Sequence, residues 1–200
     1  MRHEEYMKNI IEDFLNNNKH DTDSFPDMDL YMDQVSNFMN KKLEIYKRNE
    51  KDKVLTKTMI NNYVKHNLLP RTKNKKYNKD HLIILTLIYY LKNTFQMGEI
   101  EMLMKPIIDN YNSEFDDKID LELLYKSIVD VQKDNENEMA KSAIDDIQHL
   151  KKSLSDGGLY DDDMIELFTI IVNLTIKADF EKYLAQKLLN EYFIKSKKQK

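Results

Sequence analysis

The chain has 200 residues, of which 41 % are hydrophobic and 33 % are charged, and its formal net charge is −4. This length suits one large domain or two small ones with a real core. The absence of cysteine excludes disulfides, thiolate catalysis and Cys-ligated zinc. Only three glycines and three prolines are present. Because both residue types punctuate turns, we predict long elements in a mostly helical, all-α fold.

The residues show no targeting or membrane segment. Met1 to Leu15 contains four acids, whereas a secretory leader begins basic and then turns apolar. The longest apolar region, Met164 to Ile176, is interrupted by Glu166 and Asn173 and is shorter than a membrane span. We therefore expect a cytoplasmic protein that does not enter a membrane.

Hydrophobic periodicity predicts three helices in the first third of the chain. In chain order the elements are a helix over 1–20, a linker over 21–28, a helix from Asp29 or Asp33 to about Lys47, a charged loop, and a helix over 56–67. Thr56 suits the N-cap of the third helix because its hydroxyl can accept a backbone N–H. Asn67 suits its C-terminal end because asparagine tolerates the left-handed conformation.

Four more helices are predicted in the remainder of the chain. In order, the elements are a basic loop over 71–78, an apolar helix over 79–93 capped by Asn78, a connection to Gly98, a helix over 99–111, a helix over 120–154 with a break near Asn135, a turn over 156–158, and a helix over 161–197. The first half of the last helix is apolar on most sides, so we expect it to be buried in a C-terminal helical bundle that also dimerises.

The polar, acidic stretch 112–120 is the best candidate for a domain boundary. It divides the chain into an N-terminal helix and linker (1–28), a middle domain (29–111) and a C-terminal dimerisation or effector domain (112–200). The methionine, tyrosine and phenylalanine side chains of the last domain have two interpretations. They line an effector pocket, or they form an ordinary core, in which methionine fills irregular gaps.

Charge is segregated along the chain. Residues 1–40 hold nine acids and three bases, residues 41–79 hold thirteen bases and three acids, and residues 80–200 hold fifteen bases and twenty-three acids. The middle block therefore carries +10 in an otherwise acidic chain, as expected of a site for a polyanion. A solvated lysine-rich surface without a ligand is the alternative.

The helix over 56–67 combines an apolar stripe with a polar face. Its stripe consists of Met59, Ile60, Tyr63 and Val64, and its polar face consists of Lys57, Thr58, Asn61, Asn62 and Lys65. Asparagine can pair with adenine in the major groove, and threonine and lysine reach phosphates or base edges. The loop that follows supplies Arg71, Lys73, Lys75, Lys76 and Tyr77. We therefore predict a DNA-recognition helix followed by a basic wing over 71–77, with Tyr77 anchoring its far end.

Residues 55–103 resemble the MerR family of winged helix-turn-helix regulators. That family's recognition helix reads Thr-Ile-Arg-Tyr-Tyr and then Gly-Leu-Leu-Pro, where this chain has Met59-Ile60-Asn61-Asn62-Tyr63 and then Asn67-Leu68-Leu69-Pro70. The family's wing reads Tyr-Arg-x-Tyr and then Ser-x-x-Asp-Leu, where this chain has Asn74-Lys75-Lys76-Tyr77 and then Asn78-Lys79-Asp80-His81-Leu82. The acid-Ile pair that opens the family's next helix is similar to Gly98-Glu99-Ile100. The resemblance implies a transcription regulator that binds the major groove of duplex DNA as a homodimer. The full chain also resembles an uncharacterised bacterial family of unknown function.

Two hypotheses about function follow, because Asn61, Asn62 and Lys75 replace residues that the MerR family uses. The first is a sequence-specific DNA-binding regulator. The second is a helical adaptor that keeps the winged-helix fold, binds a protein partner and no longer binds DNA. In either case the acidic segment 1–40 is a candidate to screen the basic block.

We expect no enzymatic activity, cofactor or metal ion. The chain has no Gly-rich phosphate loop, no G-x-S-x-G and no H-E-x-x-H, the motifs that carry phosphate binding, acyl transfer and zinc hydrolysis. Asp145 and His149 are four residues apart on a predicted helix, but they lack a third ligand. An exposed polar pair explains them better.

Overall fold

The computed structural model describes residues 2–17, 24–112, 119–158 and 163–195, with side chains described from Glu5 onward. Within these ranges the protein has seven α-helices and one two-stranded sheet, which is the all-α fold with a small β element that we predicted. The elements are α1 (Arg2–Asn17), β1 (Leu30–Tyr31), α2 (Met32–Lys42), α3 (Lys57–Lys65), β2 (Lys76–Tyr77), α4 (Lys79–Leu91), α5 (Met97–Tyr111), α6 (Leu121–Asp156) and α7 (Asp163–Leu189). A 3₁₀ helix covers Glu44–Tyr46, and a π-helical segment, Asn190–Lys195, follows α7.

The chain divides into two compact units by its internal contacts. Unit 1 comprises Met1–Asn18 and Asp130–Ala185, and unit 2 comprises Lys19–Val129 and Gln186–Lys200. The boundary that we predicted at 112–120 falls largely on residues 113–118, which lie outside the described residues.

Unit 2 is built around α4. Every residue of this helix from His81 to Tyr89 is buried, as expected of a helix that is apolar on all sides. Its cover includes buried side chains from α2, α3, α5 and the start of α6, such as Val35, Ile60, Ile100 and Tyr125. This single cluster fixes the elements that carry the basic block.

Unit 1 contains an antiparallel pair formed by α6 and α7. Lys151 pairs with Glu166 at 3.2 Å, and Lys177 pairs with Asp146 farther along both helices. Among the described residues of this unit, only Ile147 and Ile170 are buried hydrophobic side chains. The expectation that the first half of the last helix is buried is therefore wrong for a single chain. Burial needs a cover on every apolar side, and within unit 1 side chains such as Phe168, Ile171 and Ile176 stay exposed.

Several predicted boundaries need correction. The helix expected from Asp29 or Asp33 begins at Met32, because Leu30 and Tyr31 pair with β2 instead. The helix after α4 begins at Met97, so Gly98 lies in its first turn. The break expected near Asn135 is absent, since α6 is one continuous helix through that residue. Asn135 is exposed and costs a helix only a few tenths of a kcal/mol, roughly, relative to the best helix formers.

Other predicted ends lie outside the described residues. These are residues 18–20 of the first helix, 21–23 of the linker, Asp161 and Asp162 at the start of the last helix, and residues 196–197 at its end.

Candidate nucleic-acid interface

Helix α3 turns a buried face to the core and a polar face to solvent. Ile60 and Tyr63 are buried, Met59 is half-buried, and Val64, which we predicted in the apolar stripe, is 37 % exposed. The five residues predicted to contact DNA from this helix are all exposed, namely Lys57, Thr58, Asn61, Asn62 and Lys65. At 100° per residue they fall within an arc of about 140°. The structure thus brings these five together on one surface.

Both ends of α3 are fixed by local hydrogen bonds that the residues predicted. At the start, the Thr56 hydroxyl accepts the Met59 N–H at 3.2 Å. At the end, Asn67 is left-handed with φ 55°, as we predicted. Its N–H donates to Val64 O at 3.1 Å, while the Leu68 N–H donates to Tyr63 O at 2.9 Å. This pair of bonds is a Schellman motif, which ends the helix and turns the chain back to the core.

The loop before α3 is fixed by one amide side chain on α2. Asn40 Oδ1 accepts the Val54 N–H at 2.7 Å, and Asn40 Nδ2 donates to Leu55 O at 2.6 Å. Ser36 Oγ donates to the same Leu55 carbonyl at 3.1 Å. Val54 and Leu55 are buried, so these bonds satisfy backbone groups that water cannot reach. They set the position from which α3 begins.

The predicted wing is a tight hairpin. Lys73 and Lys76 form an antiparallel bridge, in which the Lys76 N–H donates to Lys73 O at 3.0 Å. The two residues between them are both left-handed, Asn74 with φ 53° and Lys75 with φ 59°, which is the signature of a type I′ turn. Asparagine tolerates this conformation, but lysine adopts it at a cost that glycine avoids. The tip of the wing therefore holds a cation where the backbone favours glycine.

The base of the wing is attached to the core through strand β2. Leu30 pairs with Tyr77 and Tyr31 with Lys76 in antiparallel register. Tyr77 is only 6 % exposed and contacts His81 edge to face, with ring centroids 5.5 Å apart. Its side chain therefore anchors the wing, as predicted, and is turned away from the surface of the other predicted contact residues. Burial also raises the pKa of the Tyr77 phenol, which keeps it neutral.

His81 connects the wing to the loop after α3. Its Nε2 lies 3.3 Å from Pro70 O, while its Nδ1 accepts the Asn78 N–H at 3.3 Å. Asn78 Oδ1 also contacts Nδ1, so each ring nitrogen has an acceptor within reach, Pro70 O for Nε2 and Asn78 Oδ1 for Nδ1. Burial lowers the pKa of His81 below the ordinary value of 6.5, against the opposing effects of the Pro70 carbonyl, Asp80 and Asp29. The Asn78 side chain accepts the His81 N–H at 3.2 Å, which confirms the predicted cap of α4.

The cations of the wing form no ion pair among the described residues. Arg71, Lys73 and Lys75 are exposed and Lys76 is half-buried. In the part of the chain that the structure describes, none of these four, nor Lys65, has a carboxylate within 4.0 Å. They therefore present exposed positive charge in the segment that comes after α3 in the sequence.

Three residues near this surface were missed by reasoning from the sequence. Asp33 on α2 forms an ion pair with Lys57 at the start of α3. Tyr31 lies under the wing, with Lys76 Nζ 5.4 Å from its ring centroid. Asn40 fixes the approach to α3, as described above. Only the role of Asn40 left a signal in the sequence, since an amide beside buried helix positions such as Met39 and Leu43 often satisfies buried backbone groups.

The described residues do not bring three His, Asp or Glu side chains together as a metal site would require. Among the helices described, none is both long enough and apolar enough to cross a membrane.

Comparison with known proteins gives one match. No curated protein and no solved structure matches the chain significantly. A family model described as a domain of unknown function (DUF1836) matches residues 20–128, which is more than half of the chain. This range nearly coincides with the first segment of unit 2, Lys19–Val129, and it includes α3 and the wing. The chain therefore belongs to the DUF1836 family.

Proposed function

We propose that this protein is a DNA-binding transcription regulator that reads duplex DNA with α3 and the wing, in the manner of MerR-like winged helix-turn-helix proteins. The observation that carries the proposal is the set of wing cations without an ion pair, in the segment that comes after the exposed polar arc of α3 in the sequence. Base-reading groups on α3 and phosphate ligands in the wing would together supply the two kinds of contact that DNA recognition needs. The MerR-like interpretation rests on the sequence resemblance of residues 55–103.

The two elements have different roles in this proposal. Asn61 and Asn62 at the centre of the exposed arc are candidates to read base edges, as asparagine does with adenine. Lys57, Thr58 and Lys65 lie around them, and the wing cations Arg71, Lys73, Lys75 and Lys76 contact phosphates. Phosphate contacts of this number make affinity strongly dependent on salt.

The test is binding to DNA fragments from the promoter region of the protein's own gene across a salt series. With six cations in contact per chain, the slope of log affinity against log salt is expected to be about −5 per chain. Changing Lys57, Asn61 and Lys65 to alanine is expected to reduce the slope by about two and to weaken the preference for the specific fragment. Unaltered binding by this variant would contradict the assignment of α3.

A matched control comes from the same basic block. Lys51 and Lys53 are exposed, and they precede α3 in the loop. The pair Lys51→Ala and Lys53→Ala removes the same charge as Lys57→Ala and Lys65→Ala. Equal losses of affinity in both pairs would show that binding reflects net charge alone.

A protein adaptor is the second candidate function. The observation that favours it is the ion pair between Asp33 and Lys57, which places an acid at the edge of the proposed DNA surface. An adaptor would use the same exposed face of α3 to bind a protein partner. It predicts no DNA binding at about 50 mM salt, where phosphate contacts are strong.

A further inference from the structure

The surface of α7 in unit 1 is apolar and exposed to an unusual extent. Six side chains at a strict spacing of four residues form a continuous ridge along the helix, called here the α7 ridge. They are Met164 (71 % exposed), Phe168 (68 %), Val172 (37 %), Ile176 (62 %), Phe180 (63 %) and Leu184 (46 %). Ile171 and Tyr183 beside the ridge are also exposed, at 61 % and 55 %.

The area of this surface exceeds what a monomer usually leaves open. At roughly 100 Å² per large exposed side chain, the α7 ridge and its two flanking residues offer about 800 Å². The largest apolar patch on a typical monomer is about 300–600 Å². A standard protein interface buries about 800 Å² on each partner. Because a row of four-residue spacing turns about 40° around the helix axis per step, a partner helix covers the central part of the α7 ridge, from Phe168 to Ile176, and the two ends of the ridge face away from it.

Unit 1 also lacks the core that an independent unit needs. Ile147 and Ile170 are its only fully buried hydrophobic side chains among the described residues. Unit 1 comprises α1, α6 and α7, and so small a buried core offsets little of the conformational entropy of ordering three helices. The missing cover has to come from packing on the exposed side of α7.

Charge and shape favour a second copy of the chain as that cover. Residues 167–176 of α7 include no charged side chain, so two copies meet there without like-charge repulsion. The charges that flank this stretch are neutralised inside the helix pair, Glu166 by Lys151 and Lys177 by Asp146. Ridges of four-residue spacing pack into each other's grooves at about −50°, the commonest helix crossing. The α7 ridge is therefore complementary to itself, as a two-fold interface requires.

We infer that unit 1 is a self-association module in which the α7 ridges of two copies pack together and cover each other's exposed apolar side chains. This inference does not depend on DNA binding. It lies outside the matched family domain, residues 20–128.

Sedimentation equilibrium of the full chain tests the inference. One chain has a mass of 24.0 kDa, and the expected mass at micromolar concentrations is twice this. The double variant Phe168→Glu, Ile176→Glu is expected to have the monomer mass at concentrations where the original chain is dimeric. The control Met28→Glu replaces a side chain of similar exposure (69 %) in unit 2 and is expected to remain dimeric.

Two further measurements keep the result decisive. The thermal unfolding midpoint of a dimer rises with protein concentration, whereas that of a monomer does not. If the glutamate variant does not fold, the double variant Phe168→Ala, Ile176→Ala replaces it in the test. Removing two central apolar anchors should raise the dissociation constant of the dimer at least about tenfold. A monomeric chain at about 100 μM with a constant midpoint would overturn the inference, since another part of the chain or a different partner would then cover α7. An alanine variant that dimerises like the original chain would overturn it as well.

Discussion

Lys75 at the tip of the wing allows a test in which stability and DNA affinity should move in opposite directions. The residue is held at φ 59° in the second central position of a type I′ turn, where glycine is preferred. Substituting Lys75→Gly removes both the backbone strain and the cation. Removing the strain should raise the free energy of unfolding, and removing the cation should weaken DNA binding.

The magnitude follows from two opposing terms. The left-handed conformation costs a residue with a side chain about 1–2 kcal/mol. Glycine also makes the unfolded chain more flexible, which lowers the free energy of unfolding by about 0.5–1 kcal/mol and offsets part of this gain. The free energy of unfolding of the variant should therefore rise by about 0.5–1 kcal/mol. Loss of one phosphate contact should reduce the salt slope of DNA binding by about one.

Urea unfolding followed by circular dichroism measures the first effect, and DNA titrations over a salt series measure the second. Asn74→Gly is the matched control because it alters the other left-handed residue of the turn and keeps the Lys75 charge. That control should retain the original salt slope. A destabilised Lys75→Gly protein would refute the argument about the turn, and an unchanged salt slope would refute the role of the wing in binding phosphate.

Three further predictions concern residues around the proposed interface. Asp33→Asn releases Lys57 from its ion pair and removes a negative charge, so DNA affinity at about 50 mM salt should rise by roughly two- to fivefold; an unchanged affinity would mean that Lys57 does not contact DNA. Asn40→Ala leaves the buried Val54 N–H without its acceptor, so urea unfolding should show a loss of about 2 kcal/mol, and a loss below about 0.5 kcal/mol would contradict the proposed role in fixing the loop. Burial lowers the pKa of His81 below 6.5. As the pH falls, the unfolded chain therefore binds a proton at His81 before the folded chain does. Neutral His81 stabilises the fold above about pH 6.5, and this contribution is lost below that pH. Measured between pH 7 and pH 5, the original chain should lose more stability than His81→Gln, and parallel pH profiles would exclude His81 as the cause.

The sequence predicts the capped ends of α3 and α4 well, because those ends depend on neighbouring residues. Thr56 and Asn78 accept backbone N–H groups within their own first turn, and Asn67 adopts the left-handed conformation that asparagine tolerates. The exposed face of α3 is equally local, since it follows from the helical repeat and the buried positions of Ile60 and Tyr63.

The sequence does not predict features that depend on distant residues. Leu30 and Tyr31 lie in a strand only because the hairpin more than forty positions later pairs with them. The ion pair of Asp33 with Lys57 likewise joins two helices across a loop. The exposure of α7 could not be inferred from its composition, because an apolar helix is buried only where another surface covers it.

The pairing of β1 with β2 has a consequence for the order in which the proposed DNA surface assembles. The two strands are only two residues long, and the chain between them includes α2 and α3. Contacts so distant in sequence carry the full entropy of closing the intervening loop, so they form late in folding. A sheet of two short strands is also marginal by itself, and such elements open more easily than the core. We therefore expect the amides of Lys76 and Tyr77 to exchange with solvent faster than those of α4, so that the wing detaches and re-forms while the helical core stays folded.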